Sequence, residues 1–160
     1  MMRIKNGMWY GVALALLLVD QISKYLALHQ LSLYRSQPIF PGLNWTLTYN
    51  SGSAFGFLNQ STVWWHPHVF TLFGIVMSGS LIAWIALCKT KAKWELFALA
   101  CILSGAIGNV IDRVRFGYVI DFIHVYYKQH SFPIFNIADS LICIGAGLLF
   151  IMSSKKSSIL

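Results

Sequence analysis

Four apolar runs, each about as long as a bilayer's hydrocarbon is thick, leave this chain few folds to choose from. They cover roughly 8–28, 69–87, 94–111 and 134–152 of the 160 residues, and about 20 such residues make one membrane-crossing helix. Inside hydrocarbon every backbone N–H and C=O has to be satisfied within its own segment, so runs of this length read as helices. The expected architecture is an α-helical integral membrane protein of one domain, 1–160, with four transmembrane helices and two longer loops, 29–68 and 112–133, on one side. Charged residues make up only 11% of the chain, against about 25% in a soluble domain. The first run also fits a secretory signal peptide, because Arg3 and Lys5 precede it. No small-x-small cleavage site follows, and Asp20, Gln21 and Lys24 continue the helical pattern, so it is read as a retained span.

The formal net charge of +7 raises nucleic acid as a partner, but the positions of the charges argue against it. Arg3 and Lys5 precede the first span, Lys89, Lys91 and Lys93 fill the turn between the second and third, and Lys155 and Lys156 follow the fourth. These are seven of the twelve basic residues, all on one side and close to span ends. By the positive-inside rule that side is cytoplasmic, with both termini inside. Membrane lipid, not nucleic acid, is the expected surroundings. Cys88, Cys101 and Cys143 lie within or at the end of spans, odd in number and without motif spacing. They read as small core residues, neither a disulfide framework nor a zinc site.

The chain holds five acidic residues, and four are aspartates where apolar and polar segments meet. Ionisable groups near hydrocarbon are costly and by default mark function. The alternation of spans brings Asp20 and Lys24, then Asn109, Asp112 and Arg113, then Asn136 and Asp139 to one depth on the outer side, with Asp121 in the loop between. Residues three and four apart share a helix face, so each set projects together. Lys24 follows Asp20 by one turn and Arg113 abuts Asp112, so those two aspartates read as structural ion pairs. Asp121 and Asp139 have no Lys or Arg within four residues. Facing each other near hydrocarbon, they would share one proton. The ionised member of such a pair takes a proton from water and the protonated member donates to a carbonyl oxygen, as in an aspartic hydrolase. Asn50, Asn109 and Asn136 are amides available to orient them. The bland reading of a single such residue is a cap, and Asp139 near a helix start fits one.

Leu43, Trp45, Leu47 and Tyr49 alternate with polar residues, which predicts a half-buried strand ending at the turn-forming Asn50-Ser51-Gly52-Ser53. Tyr118 to Tyr127 predicts further strand. Together they predict a small extracytoplasmic β-sheet built from the two outer loops, with Ala54, Phe55, Phe57 and Leu58 dipping into the interface. Ser104, Gly105, Ala106 and Gly108, and also Gly145 and Gly147, suit close helix packing. His66-Pro67-His68 lacks a third ligand, and no H-E-x-x-H occurs, so no metal or other cofactor is expected. Ser51-Gly52-Ser53 and Ser78-Gly79-Ser80 lack a base partner, which argues against a serine nucleophile.

Five segments, taken in order, resemble the bacterial lipoprotein signal peptidase (signal peptidase II) family. They are Asp20-Gln21-Ile22-Ser23-Lys24, Asn50-Ser51-Gly52-Ser53-Ala54-Phe55-Gly56, Gly105 through Arg113, Val119-Ile120-Asp121-Phe122, and Phe135-Asn136-Ile137-Ala138-Asp139-Ser140. Ser104 stands where the family often has a second glycine. The resemblance implies an endopeptidase with Asp121 and Asp139 as the catalytic pair. It implies that Asp20, Lys24, Asn50, Gly52, Asn109, Arg113 and Asn136 support the site or bind substrate. The implied substrate is a prolipoprotein whose lipobox cysteine carries a diacylglyceryl group, cut on the N-terminal side of that cysteine. The implied setting is the bacterial cytoplasmic (inner) membrane, with the site near its outer face and globomycin as an inhibitor. The competing classes are a small proton- or ion-coupled transporter subunit using the Asp/Lys/Arg cluster, and a non-catalytic scaffold. A proton path needs polar groups deep in the spans, where the first and fourth are nearly uncharged.

Overall fold

The computed structural model describes residues 3–52, 66–88 and 93–157. Four helices, α1 (Arg3–Gln30), α2 (His66–Leu87), α3 (Lys93–Phe116) and α4 (Ile137–Ser157), are joined by strands β1 (Ser36–Phe40), β2 (Leu43–Asn50), β3 (Val119–Tyr127) and β4 (His130–Ser131). All four helices are long and apolar enough to cross a membrane. α3 is the central one, with α1, α2 and α4 packed around it. Its small residues explain why. A Cβ on Gly105 would collide with the backbone of Ala138 on α4, and one on Gly145 would come within 2.5 Å of the Ala98 carbonyl on α3. Gly147, by contrast, faces open space, so its expected packing role is not seen.

The end of the bundle away from the sheet is closed by a core of Trp9, Ala13, Leu81, Ile85, Leu96, Leu99, Ala100 and Leu103. There the Asn6 amide donates to the carbonyls of Ile85 (2.9 Å) and Cys88 (3.1 Å), and the Tyr10 hydroxyl to that of Ile82 (2.8 Å). The first of these satisfies one of the last four carbonyls of α2, which have no partner within their own helix. Cys101 is buried as expected, but Cys143 is exposed on the outer surface of α4 and is not a core residue.

The strands form one antiparallel sheet in the order β1-β2-β3-β4. The two strands foreseen from the sequence, one from its alternation and one from its aromatic and β-branched content, are its centre. β1 and β4 were not anticipated: β1 is exposed along its whole length, so no half-buried alternation announces it. One sheet face packs on the last turns of α1 through Ala27, Leu31, Leu47, Ile120 and Phe122. Element ends differ from the sequence reading in two places that matter. α3 runs five residues past 111, through Asp112 and Arg113, and ends at Gly117, whose positive φ of 80° lets its N–H reach the Arg113 carbonyl. α4 begins at Ile137 and not at 134. Phe135 is tied into a β-bridge with Ile123, so Asn136 caps the helix from outside it. The stretch Ala54 to Leu58, Lys89 and Lys91 lie outside the described residues.

Candidate active site

Where the sheet meets the bundle, the polar residues of three helices and one strand converge. Counting from the opposite ends of the spans at 1.5 Å per residue, Asp20 is about 21 Å along from Asn6 and Asp139 about 22 Å from Ser154. The hydrocarbon is about 30 Å thick. Both distances fall short of that thickness, so the cluster lies at the sheet-side end of the apolar spans.

Lys24 is the hub, with only 1% of its surface exposed. Its ammonium lies 3.0 Å from Asp20 Oδ2 and 2.8 Å from Asp112 Oδ2, and donates to Asn109 Oδ1 at 3.0 Å. Three donors meet three acceptors, the condition under which a buried charge is tolerable. Asp112 is thus paired with Lys24 across the helix interface, and not with its neighbour Arg113 as its sequence position suggested. The reason is helical geometry: adjacent residues diverge, while Asp112 shares a face with Asn109. A Cβ on Gly108 would lie 2.5 Å from Asp20 Oδ2, so glycine there lets α1 and α3 close on the ion pair.

The two hub carboxylates each reach on to backbone. Asp20 Oδ1 accepts the Ala138 N–H at 2.8 Å, satisfying a free donor in the first turn of α4. Asp112 Oδ2 accepts the Ile120 N–H at 3.2 Å, fixing the start of β3. Ala138 precedes Asp139 and Ile120 precedes Asp121, so one ion pair holds the chain beside both aspartates. Gln21 closes the ring by donating to Asp20 Oδ2 (3.1 Å), Asp112 Oδ1 (3.2 Å) and the Gly108 carbonyl (3.3 Å). From sequence Asp112 reads as a structural ion pair with Arg113, and Gln21 is given no role. Asp112 had a signal, its spacing from Asn109. Gln21 had none, because its partners lie on another helix.

Asp121 and Asp139 are brought together through Asn136. The Asn136 side-chain amide donates to Asp121 Oδ1 at 2.7 Å, and its Oδ1 accepts the Asp139 N–H at 2.9 Å. Asp139 Oδ2 accepts the Asn136 N–H in return at 3.3 Å. This is a reciprocal capping box at the start of α4. The cap reading of Asp139 and its place beside Asp121 therefore hold together. Asn109 links the hub to Asp139, donating to its Oδ1 at 2.8 Å. Asn50 donates to Asp121 Oδ2 at 3.0 Å. The strand register explains that contact: Asn50 pairs with Val119, which makes Asp121 its diagonal neighbour on the same face.

Arg113 and Gly52 complete the set from the side. The Arg113 guanidinium lies over the Phe70 ring at 5.7 Å, within the electrostatic field of Asp139 and Asp121. Gly52 has φ +135°, and a Cβ there would come within 2.7 Å of the same Phe70 ring. Every sequence-selected residue, Asp20, Lys24, Asn50, Gly52, Asn109, Arg113, Asn136, Asp121 and Asp139, is thus in or against this one cluster.

Burial pushes the Asp121 carboxyl up to about 7, helped by the negative charge of Asp139; the amides of Asn50 and Asn136 and the charge of Lys24 pull the other way. A carboxyl that holds its proton near neutrality, next to a second carboxylate, has the makings of an acid–base pair. Among the described residues no cluster of His, Cys, Asp and Glu is arranged to hold a metal ion.

A family model described as signal peptidase (SPase) II matches residues 12–155. Three relatives carry the name lipoprotein signal peptidase. That of Teredinibacter turnerae is 49% identical over 142 residues, covering 88% of this chain and 83% of its own. That of Acinetobacter baylyi is 44% identical over 146 residues, covering 91% and 81%. That of Pseudomonas aeruginosa is 41% identical over 153 residues, covering 93% and 90%. Two solved structures, each described as a bacterial membrane enzyme, superpose with TM-scores of 0.83 and 0.77 at 31% identity. The first covers 95% of this chain and 90% of its own, the second 91% and 92%.

Proposed function

The chain belongs to the signal peptidase II family, and on that premise we propose that it is the aspartic endopeptidase that removes signal peptides from diacylglyceryl-modified prolipoproteins. The observation that carries the aspartic assignment is the Asp121–Asn136–Asp139 bridge, in which Asn136 holds the Asp121 carboxyl by its side-chain amide and the Asp139 carboxyl by its backbone N–H. Between them they hold one proton. The ionised carboxylate accepts a proton from the attacking water while the other donates its proton to the scissile carbonyl oxygen. Collapse of the tetrahedral adduct then returns a proton to the leaving amine and breaks the C–N bond before the lipidated cysteine. Asn50, Asn109 and Asn136 orient the pair, and Arg113 and Gly52 line the approach. No metal or other cofactor enters this scheme.

The depth of the pair suits a substrate whose acyl chains remain in the bilayer while its peptide bond rises to the interface. The basic residues at the opposite span ends support cytoplasmic termini in the bacterial inner membrane, which sets the site near the outer face. Globomycin, as an inhibitor of the family, is expected to compete at this site.

The deciding assay is cleavage of a diacylglyceryl-modified prolipoprotein by the purified protein and by its Asp121→Asn and Asp139→Asn variants. Loss of at least about a hundredfold in rate in each folded variant is expected. Variants that cut at the wild-type rate overturn the assignment, and binding without cleavage by the wild type overturns the activity.

A further inference from the structure

The far half of the sheet has a use that the peptidase chemistry does not require. In the antiparallel register Thr48 faces Asp121, Trp45 faces Ile123, Leu43 faces Val125, and Phe40 faces Leu43. Paired residues point to the same side, and alternate residues of β3 do too. Phe40, Leu43, Trp45 and Val125 therefore share a face with Asp121. At Asp121 that face looks onto the ends of α3 and α4, where Asn109 and Asn136 lie. Val125 is four residues on, about 13 Å further along the strand, which exceeds a helix diameter of about 10 Å. Beyond the helix ends, the same face looks toward whatever surrounds the bundle. Phe40 is 58% exposed, Trp45 41% and Val125 40%, so no described residue covers them.

Two further observations identify that surrounding. The lipid-facing stripe of α1, with Leu18, Val19, Ile22, Tyr25 and Leu26 exposed, leads through the chain into exposed Leu33 and Tyr34 and so to β1. The exposed apolar residues of the sheet thus follow in sequence on the exposed apolar stripe of a membrane-length helix. The charge at this end is also one-sided. Arg35, Arg115 and Lys128 are exposed, with Arg115 over Phe116 (4.8 Å) and Lys128 over Tyr127 (5.5 Å). All the carboxylates of the chain except Glu95, which starts α3 at the opposite end, are held within the site. Aromatic residues mixed with cations are what a membrane interface selects.

We propose that the far half of the sheet is a membrane-binding surface, with Phe40, Trp45 and Val125 set into the headgroup layer and Arg35 and Lys128 drawn to anionic lipid. This docking holds the sheet down over the bilayer and thereby holds β3 above the helix ends. It rests on the membrane-spanning fold and not on the identity of the reaction.

The test uses the full chain in nanodiscs of phosphatidylcholine, with or without phosphatidylglycerol. Cys88, Cys101 and Cys143 are first replaced by alanine, and a spin label is then placed at Phe40→Cys or Pro38→Cys. Pro38 pairs with Asn44 on the opposite face. Monodisperse elution of each labelled protein in detergent before reconstitution reports that it is folded. The expected result is a ratio of oxygen to aqueous nickel-chelate accessibility several-fold higher at 40 than at 38. That contrast widens with phosphatidylglycerol and loses the widening in Arg35→Gln/Lys128→Gln, since each cation near an anionic surface is worth roughly fivefold in partition. Equal chelate access at both positions means the sheet stands in water and overturns the proposal. So does shielding of position 40 from both reagents, which means that protein covers it, or shielding only after prolipoprotein is added, which makes substrate the occupant. A contrast indifferent to lipid charge refutes the anionic preference.

Discussion

Replacing Asp121 with asparagine removes a site carboxyl whose titration is pushed up to about 7. The folded protein raises that carboxyl from 3.8 to about 7, and each unit is worth about 1.4 kcal/mol. Folded protein binds the proton more tightly than unfolded chain, so acid favours the folded state. Stability falls as pH rises from about 4 to about 7, and is flat beyond. At pH 8 the ionised carboxylate costs roughly 4 kcal/mol relative to solvent, of which about 3 kcal/mol is lost between pH 5 and pH 8. Asparagine has no such charge, but its NH₂ must face the amide donors of Asn50 or Asn136, a mismatch of about 1–3 kcal/mol at every pH. The variant is therefore equal to or less stable than wild type at pH 5 and more stable at pH 8, by about 1–3 kcal/mol. The assay is unfolding of the detergent-solubilised proteins by titrated denaturant at pH 5, 6.5 and 8. Parallel stability curves for the two proteins across that range would refute the claim that Asp121 is held protonated.

Three other outcomes follow from the same geometry. Lys24→Met strands Asp20 and Asp112 without their cation and is expected to destabilise the protein by about 3–5 kcal/mol, seen as loss of monodisperse protein on heating in detergent. Asp20→Asn with Asp112→Asn in that background should recover part of the loss. Gly108→Ala drives a methyl toward Asp20 Oδ2, and a cost of about 1–3 kcal/mol should appear in thermal unfolding together with slower cleavage. Asn6→Ala removes two bonds to the end of α2 far from the site, so stability should drop by about 1–2 kcal/mol while kcat and KM stay at wild-type values.

Much of this protein could be read before any coordinates. The spans were readable because hydrocarbon imposes one rule on every residue of a helix, and a rule applied twenty times in a row leaves a plain trace in composition. The two central strands were readable from the alternation of Leu43, Trp45, Leu47 and Tyr49 with polar residues and from the β-branched and aromatic run Tyr118–Tyr127. The bulge between Trp45 and Thr48, which leaves Thr46 and Leu47 both buried, was not. The convergence of Asp20, Asn109, Asp121 and Asp139 on one level followed from counting turns and alternating span direction.

Partnership was not readable. Lys24 lies one turn from Asp20 and that pair could be foreseen, but its bond to Asp112 spans 88 positions and depends on how closely α1 approaches α3. Asp20 reaching the Ala138 N–H, and Asn136 sitting outside α4 as its cap, depend likewise on helix ends that sequence periodicity leaves uncertain by a turn. Sequence alone determined which residues are costly enough in a membrane to require partners. Only the tertiary structure decided which partners they take, because a buried charge is satisfied by whatever donor the packing brings within about 3 Å, and packing distance between segments has no period along the chain.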